Sequence, residues 1–401
     1  MKKAITLLAV ILFIVAGCGG GNQSGTQSDG FITVDVTASY PKKELILQDF
    51  MDVEYVPLET SDEFITSAQI LTVGKEIIVF RNIRRGGAFG DGDLFLFDIN
   101  TGKGLRKINR LGQGPEEYTN AAGVVINEDN DEMIVNNTYA SKVLVYDLLG
   151  NFKWSFNQSK DFFFNQIGDL DKNNLICYDI ATELINNGLK SNYFSIVSKK
   201  DGSIKEIQIP YKEKKLLNVY ETDENGSVSI RSSIWNRTLI PHRDSWILVE
   251  PSADTIYSLS SNHTMEPFIV RTPSVQSMNP EVFLFPGVLT DRYYFMQTVK
   301  KMFDPDTGFP STDLMYDRQE NTIFECVVYN DDYSKKRPMS LAYETPMFAF
   351  GNNEIAVIRK LEAHELVEAY EKGELKGKLK EVAATLEEES NAVLMLAKYK
   401  K

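Results

Sequence analysis

Three arginines in a glycine-rich loop are the residues of this chain best suited to bind a charged ligand. Arg81, Arg84 and Arg85 lie in the run FRNIRRGGAFGDGD, between two predicted strands. Loops on a rigid scaffold commonly carry recognition residues, and the planar guanidinium fork matches carboxylate and sulfate groups. The cluster therefore predicts a site for uronic or sulfated sugars. The alternative is a solvated loop in which the arginines pair with Asp91 and Asp93, since surface ion pairs are a weak signal.

The acidic turns of the chain match known metal loops only in part. Asp169 and Asp171 begin a segment with the spacing of a calcium-binding loop, but Asn174 stands where such a loop needs glycine. Ile180 stands where it needs a bidentate glutamate, and the three histidines of the chain are scattered. No metal site is therefore predicted. Calcium held in a central channel by residues from several repeats would leave no local spacing, and that alternative stays open.

Motifs for nucleophilic or nucleotide chemistry are absent from the sequence. There is no G-x-S-x-G elbow, no P-loop and no glycine-rich dinucleotide fingerprint after a strand. The net charge of −13 disfavours nucleic acid, because such a partner requires a basic surface. We therefore predict no catalytic residue, no cofactor and no nucleic-acid partner, and expect a binding protein rather than an enzyme.

A second glycine-rich segment, LGQGPEEY at residues 111–118, follows a clear β-hairpin. The hairpin, LFLFDINTGKGLRKI, places Gly102 where its turn needs a left-handed backbone. Two glycines and a proline fix a sharp turn in the following loop, and a tyrosine can enter an apolar layer. We interpret the loop as a structural connection and not as a phosphate cradle, because no helix N-terminus follows it. The residues of this motif are Gly112, Gly114, Pro115, Glu117 and Tyr118.

Hairpins of this kind recur along the chain and define the predicted fold. Each is preceded by a polar turn and another short apolar run, which gives an antiparallel meander. The repeat length suits one four-stranded blade, and units with two apolar faces must stack into a ring that protects their edges. Residues 31–401 are therefore predicted to form one all-β domain, a six-bladed β-propeller. The strands that open the six hairpins begin at Leu94, Val143, Tyr193, Thr255, Asp313 and Asn391.

A helical segment is predicted near the C-terminus, at about residues 361–390. Its apolar residues recur at helical spacing, so they form a stripe along one face. We expect this stripe to pack on a rim of the ring between strands of the sixth blade, and a helix that binds a partner is the alternative. The stripe consists of Leu375, Leu379, Val382 and Leu386.

Ring closure is predicted to join the two ends of the domain. FITVDV at residues 31–36 alternates cleanly, and NAVLMLAKYK at residues 391–400 lacks a returning strand. Pairing the two would close the circle and protect both edges. Cys177 and Cys326 lie in apolar, strand-like runs without the spacing of a disulfide framework, so we expect two buried free thiols, and a disulfide between them in an oxidising compartment is the alternative.

The first 30 residues carry export features. Lys2 and Lys3 precede an apolar run that is too short to span a bilayer, which is typical of a secretory signal within residues 1–17. The run ends in VAGC and resembles the lipobox of bacterial lipoproteins, which implies cleavage before Cys18 and a lipid on that residue. Residues 18–30 are rich in Gly, Ser and Gln and predict a flexible tether to the lipid bilayer.

The loop motif G-x-G-P-x-E-Y after a blade hairpin resembles a family of secreted bacterial six-bladed β-propeller lipoproteins related to NHL-repeat propellers. VPLET at residues 56–60 and the late helical segment are similar to the same family. The resemblance implies a Gram-negative cell envelope, with the outer membrane expected and its face left open because the first acidic residue of the tether is Asp29. We expect a binding or scaffolding module for a glycan, a peptide or an envelope protein. The alternative is a lactonase- or lyase-like enzyme with a metal in the channel.

Overall fold

The computed structural model describes residues 30–67, 69–82, 91–159, 162–164, 166–179, 193–222, 224–234, 237–342, 352 and 354–400. Its strands, in chain order, are β1 (Ile32–Asp35), β2 (Lys42–Ile46), β3 (Met51–Pro57), β4 (Gln69–Val73), β5 (Ile77–Arg81), β6 (Asp93–Asp98), β7 (Gly104–Asn109), β8 (Gly123–Asn127), β9 (Glu132–Asn137), β10 (Lys142–Tyr146), β11 (Phe152–Asn157), β12 (Gln166–Asp171), β13 (Asn174–Tyr178), β14 (Phe194–Ser198), β15 (Ile204–Ile207), β16 (Asn218–Thr222), β17 (Val228–Ser233), β18 (Leu239–His242), β19 (Ser245–Leu248), β20 (Thr255–Ser260), β21 (Met265–Thr272), β22 (Val282–Leu289), β23 (Tyr293–Lys300), β24 (Ser311–Asp317), β25 (Thr322–Tyr329), β26 (Pro338–Met339), β27 (Ile355–Leu361) and β28 (Val393–Tyr399). The α-helices are α1 (Leu47–Phe50), α2 (Ala363–Glu371) and α3 (Gly377–Ala383).

These strands form a six-bladed β-propeller. Blades 1, 2 and 3 are the antiparallel sheets β4–β7, β8–β11 and β12–β15. Blades 4 and 5 are built on β18–β21 and β22–β25, and blade 6 contains β27, β28 and β3. The hairpin β16–β17 forms a small separate sheet in the insertion between blades 3 and 4. No described helix has both the length and the apolar character needed to cross a membrane.

Each hydrophobic core of the described residues is shared by two neighbouring blades. In β6, Leu94 and Leu96 enter the core with blade 2, whereas Phe95 and Phe97 enter the core with blade 6. This division follows from the two-residue period of a strand, which sends successive side chains to opposite faces. The remaining cores join blades 2 and 3, 3 and 4, 4 and 5, and 5 and 6. The ring is therefore continuous from blade to blade, including between blades 6 and 1.

The N-terminal segment runs along the outside of three consecutive blades, and we call residues 32–57 the N-terminal belt. Strand β1 pairs in parallel with β21 at the outer edge of blade 4. Strand β2 does the same with β25 of blade 5, and β3 then pairs antiparallel with β28 in blade 6. The belt covers the outer edges of blades 4 and 5 and supplies a strand of blade 6.

The predicted partner in ring closure was wrong, although closure between the two ends of the domain is present. Residues 32–35 pair with blade 4, and it is β3 that pairs with the last strand, with Val56 opposite Leu394. The reason lies in burial. Val53 and Val56 of β3 enter different cores on its two faces, as a blade strand requires, whereas Ile32 and Val34 reach only one.

The hairpin turns of three blades are capped by an aspartate at the same repeat position. Asp98 Oδ1 accepts hydrogen bonds from the backbone N–H groups of Asn100 and Thr101 at 3.0 and 2.8 Å. Asp147 and Asp317 make the corresponding contacts in blades 2 and 5. Gly102 has φ of +69°, as its place in the turn predicted, because a side chain there would be strained.

The helical segment packs on blade 6 as predicted. Leu375 and Leu379 are buried in the core between blades 5 and 6, and Val382 and Leu386 pack against it. Helix α3 contacts β3, so the apolar stripe covers the strand that closes the ring. Cys177 and Cys326 are both buried and free, also as predicted.

Candidate functional site

The loop motif at residues 111–118 is held by Tyr118, which is fully buried between blades 1 and 2. Its hydroxyl donates to the carbonyl of Gly92 at 2.7 Å and accepts from the Arg110 N–H at 3.2 Å. Burial raises the pKa of Tyr118 to about 12. Glu117 accepts from the Gly114 N–H at 2.8 Å, and a Cβ on Gly112 would lie 1.9 Å from the same carboxylate. These contacts tie the loop to the fold.

Replacing Tyr118 with phenylalanine is expected to lower the free energy of unfolding by about 1–2 kcal/mol, because the Gly92 carbonyl loses a buried donor. Chemical denaturation of the two proteins measures the difference. The control is Tyr370→Phe, at a ring that is 39% exposed, where a change of no more than about 0.5 kcal/mol is expected. Equal effects of the two substitutions would show that the Tyr118 hydroxyl has no structural role.

The predicted arginine cluster is only partly described. Arg81 lies at the end of β5, where its guanidinium donates to Gln69 Oε1 at 2.6 Å and to the Ala121 carbonyl at 2.7 Å. Burial lowers the pKa of Arg81. The side chain thus links blade 1 to the start of blade 2. Arg84 and Arg85, like the lipidation residue Cys18, lie outside the described residues.

The aspartates of the incomplete calcium loop have protein partners. Asp169 accepts from Lys199 and from Asn127, each at 2.5 Å, and Asp171 lies 2.8 Å from the His263 ring. In the part of the chain that the structure describes, no three His, Cys, Asp or Glu residues come together to hold a metal ion.

Polar contacts cross every blade boundary on one face of the ring. This face carries the turns between the first and second strands of blades 1 to 5, together with the start of β27. In ring order the contacts are Glu128 with the N–H groups of Lys75, Glu76 and Ile77, Asn127 with Asp169, Trp246 Nε1 with the Asp169 carbonyl, Arg243 with Asp291, Tyr399 with the Leu289 carbonyl, and Asn352 with the Lys75 carbonyl. The mouth of the channel is therefore fixed by neighbour-to-neighbour contacts.

A cavity of about 500 Å³ opens on this face, and we call it the central cavity. Its described lining comes from residues 240–244 of blade 4, 287–289 of blade 5 and 354–356 of blade 6, with Arg237, Asp291, Asn352, Tyr399 and Lys400. The volume is that of a small-molecule site. Residues 241, 243 and 244 also line a neighbouring cavity of about 420 Å³ between blades 1 and 4.

Arg237 is a buried arginine of this lining that lacks a hydrogen-bond partner. Arg237 is 9% exposed, and its side-chain Nε has no hydrogen-bond partner. Its guanidinium forms no ion pair with any described acid. Burial lowers the pKa of Arg237 to about 10, so the group still carries its charge at neutral pH.

Two polar side chains of the same cavity, His242 and Tyr399, are neutral at pH 7. Burial, followed by the charges of Arg243 and Arg318, lowers the pKa of His242 to about 4. Burial also raises the pKa of Tyr399 to about 12, and its hydroxyl donates to the Leu289 carbonyl at 3.2 Å. The central cavity thus places one buried cation beside the neutral groups of His242 and Tyr399 and the apolar side chains of Ile240, Val288 and Leu289. The other charged residues of its lining are exposed, and they are Arg243, Asp244, Asp291, Glu354 and Lys400.

Sequence reasoning did not find Arg237. The run IWNRTLI contains one arginine between Asn236 and Thr238, and a lone arginine of this kind gives no signal of a site. The segment lies just before the first strand of blade 4, where the blades converge on the channel. Recognising the residue would have required knowing that blades 5 and 6 cover it.

The fold and the cavity define a class: a six-bladed β-propeller with an N-terminal belt and a small-molecule-sized cavity at the mouth of its channel. Within that class, the chain belongs to the family described as a domain of unknown function, DUF4934, whose model matches residues 31–398. The sequence matches no curated protein.

Solved structures are similar to this chain at low sequence identity. A Bacteroides fragilis NCTC 9343 protein whose name describes it as exported is 14% identical to this chain, with a TM-score of 0.58. The match covers 93% of this chain and 99% of that one. A DUF4221 family member from Bacteroides vulgatus is 11% identical with a TM-score of 0.48, covering 88% and 98% of the two chains. The virginiamycin B lyase of Staphylococcus aureus is 11% identical with a TM-score of 0.31, covering 66% and 95%.

Proposed function

We propose that this chain is an exported, lipid-anchored propeller that binds a small envelope ligand, a glycan or peptide fragment, in the central cavity. The observation that carries the proposal is the cavity itself, about 500 Å³ in volume and lined by polar and apolar groups from three blades. Ligand sites in proteins are concave, mostly preformed and of this size. The polar contacts around the channel mouth support a rigid, preformed site.

Lipid anchoring rests on the N-terminal sequence, in which a short apolar run ends in VAGC at Cys18. The belt begins at the outer edge of blade 4, so the tether before it joins the ring at the periphery and not through the cavity. A membrane-tethered module of this kind would sample ligands close to the envelope. The similarity to a Bacteroides fragilis protein whose name describes it as exported supports an envelope location.

Expression of the full chain in a Gram-negative host is expected to give a protein that is labelled by palmitate and sediments with membranes. Cys18→Ser should abolish the label and release the protein from the membrane fraction, because the thiol is the attachment point. Ser24→Ala in the same tether is the control and should leave both results unchanged. Full labelling of the Cys18 variant would contradict lipid anchoring.

Ligand binding is tested by thermal-shift screening of envelope saccharides and short peptides against residues 19–401, which contain the whole ring. Compounds that raise the melting temperature should lose their effect in Pro241→Trp, because the larger ring occupies the central cavity at a half-exposed position. Asn130→Trp, on an exposed turn of blade 2, is the matched control and should bind as the unchanged protein does. Binding that survives in Pro241→Trp would place the ligand elsewhere.

A further inference from the structure

Arg237 differs from the other buried arginine of blade 4 in having no acceptor. Arg271 is 5% exposed, and its guanidinium donates to the carbonyls of Pro273 and Val282 and lies against the Met278 sulfur. Arg237 is almost equally buried, yet none of its nitrogens has a hydrogen-bond acceptor among the described residues. A buried charge without a partner is strongly unfavourable, so the free protein holds this group at a cost to its stability.

The other cations of the central cavity are already occupied. Arg243 pairs with Asp291 on the rim, and the Lys400 ammonium donates to the carbonyls of Gln48 at 2.6 Å and Asp49 at 3.1 Å. Arg237 is therefore the buried cation of the described lining that has no acceptor. Because His242 and Tyr399 are neutral, they leave this single positive charge uncompensated from their side of the cavity.

The geometry points to a carboxylate as the missing partner: we infer that the central cavity binds a small carboxylate-bearing ligand whose acid group pairs with the Arg237 guanidinium. This inference rests on the proposed function and names the ligand class. A planar carboxylate accepts two parallel hydrogen bonds from a guanidinium fork, which a lysine ammonium cannot offer in that form. Ile240, Val288 and Leu289 provide an apolar wall for the ligand body. Hexuronic acids and short peptides with a free C-terminus both carry this chemistry.

The experiment measures binding of matched acid and neutral pairs by calorimetry. The probes are galacturonic acid against galactose, and an acetylated dipeptide acid against its amide, with inorganic phosphate as a different anion. One of the acids is expected to bind at least 10-fold more tightly than its neutral partner, and the pair that responds identifies the source. Arg237→Met should weaken the binding of that acid by about 10- to 100-fold, because charge-assisted hydrogen bonds are lost, and leave the binding of its neutral partner unchanged. Arg237→Lys should give an intermediate loss.

Stability without ligand supplies a second readout. Arg237→Met is expected to leave the denaturation midpoint unchanged or higher, because an unpaired buried charge is removed, whereas Arg271→Met should lower it by removing satisfied hydrogen bonds. A loss of stability in Arg237→Met as large as that in Arg271→Met would overturn the inference.

The outcomes separate the two proposals. Equal binding of acid and neutral partners in the central cavity, or binding of phosphate alone, would overturn the carboxylate inference and leave the cavity as a binding site. Failure of every probe and of the wider screen to bind would overturn the proposed function itself.

Discussion

Replacing Val56 with aspartate is expected to unfold the whole ring and not blade 6 alone. Val56 is buried in β3, pairs with Leu394 of the last strand, and packs in the core that joins blade 6 to blade 1. An unpaired carboxylate at such a site costs about 3–5 kcal/mol, a large share of the roughly 5–15 kcal/mol that stabilises a folded domain. Because neighbouring blades share their cores around the ring, losing the pairing between β3 and β28 exposes the neighbouring interfaces as well.

Tryptophan fluorescence can report this unfolding in blades far from the substitution. Trp154 and Trp246 lie in blades 2 and 4, so their fluorescence during urea unfolding reports on parts of the ring that do not touch Val56. The Val56→Asp midpoint should fall sharply in one transition, and hydrogen exchange in blades 2 and 3 should accelerate with that in blade 6. Asp52→Asn, at an exposed position of the same strand, is the control and should change stability by no more than about 0.5 kcal/mol. Wild-type protection of blades 2 and 3 in Val56→Asp would contradict ring closure by β3.

Asp317→Asn should lower the free energy of unfolding by about 2 kcal/mol at neutral pH, because the buried Asp317 carboxylate loses charge-assisted hydrogen bonds from Arg292, whose side chain is 40% exposed. The Asp317 side chain is fully buried and accepts from Arg292 at 2.9 and 3.2 Å, while Lys43 of the belt lies 3.5 Å away. Burial acts to raise the pKa of Asp317, but the hydrogen bonds from Arg292, Glu320 and Gln319 outweigh it and lower the pKa below its usual range. The contact from Lys43 links β2 to blade 5.

The lowered pKa fixes the sign of the pH dependence. Stability from Asp317 is fully present above its unfolded pKa of about 3.9 and is lost as the pH falls through the lower folded value. The difference in unfolding free energy between the wild type and Asp317→Asn should therefore be constant from pH 7 to 5 and shrink below pH 4. Asp98→Asn is the matched control, since Asp98 caps the same turn of blade 1 and makes no ion pair among the described residues. Its smaller loss, about 1 kcal/mol, measures the turn alone. A difference for Asp317→Asn that persists undiminished at pH 3 would contradict the role of the charge.

Local patterns in the sequence predicted much of the fold. The repeated hairpins, each with a polar turn between short apolar runs, predicted the six blades because each turn depends on neighbouring residues. The stripe with Leu375 and Leu379 predicted the packed helix for the same reason. The partner of the last strand could not be read in this way, since residues 31–36 and β3 both alternate and the choice depends on burial by two distant blades.

The candidate site was less accessible to sequence reasoning. Clustering drew attention to Arg81 and its neighbours, yet the described contacts of Arg81 are with Gln69 and Ala121. Arg237 stands alone in the sequence, and its unusual burial arises only when blades 4, 5 and 6 meet. Sites formed at the centre of a ring draw on residues far apart in the chain, so their members show no common spacing.

A crystal structure with the tightest-binding carboxylate ligand would show whether the acid group pairs with Arg237. We predict ligand density in the central cavity, with both oxygens of the acid group within hydrogen-bond distance of the Arg237 guanidinium and the ligand body against Ile240 and Val288. Ligand density elsewhere on the ring, with Arg237 hydrogen-bonded to a protein acceptor instead, would contradict carboxylate binding by Arg237 in the central cavity.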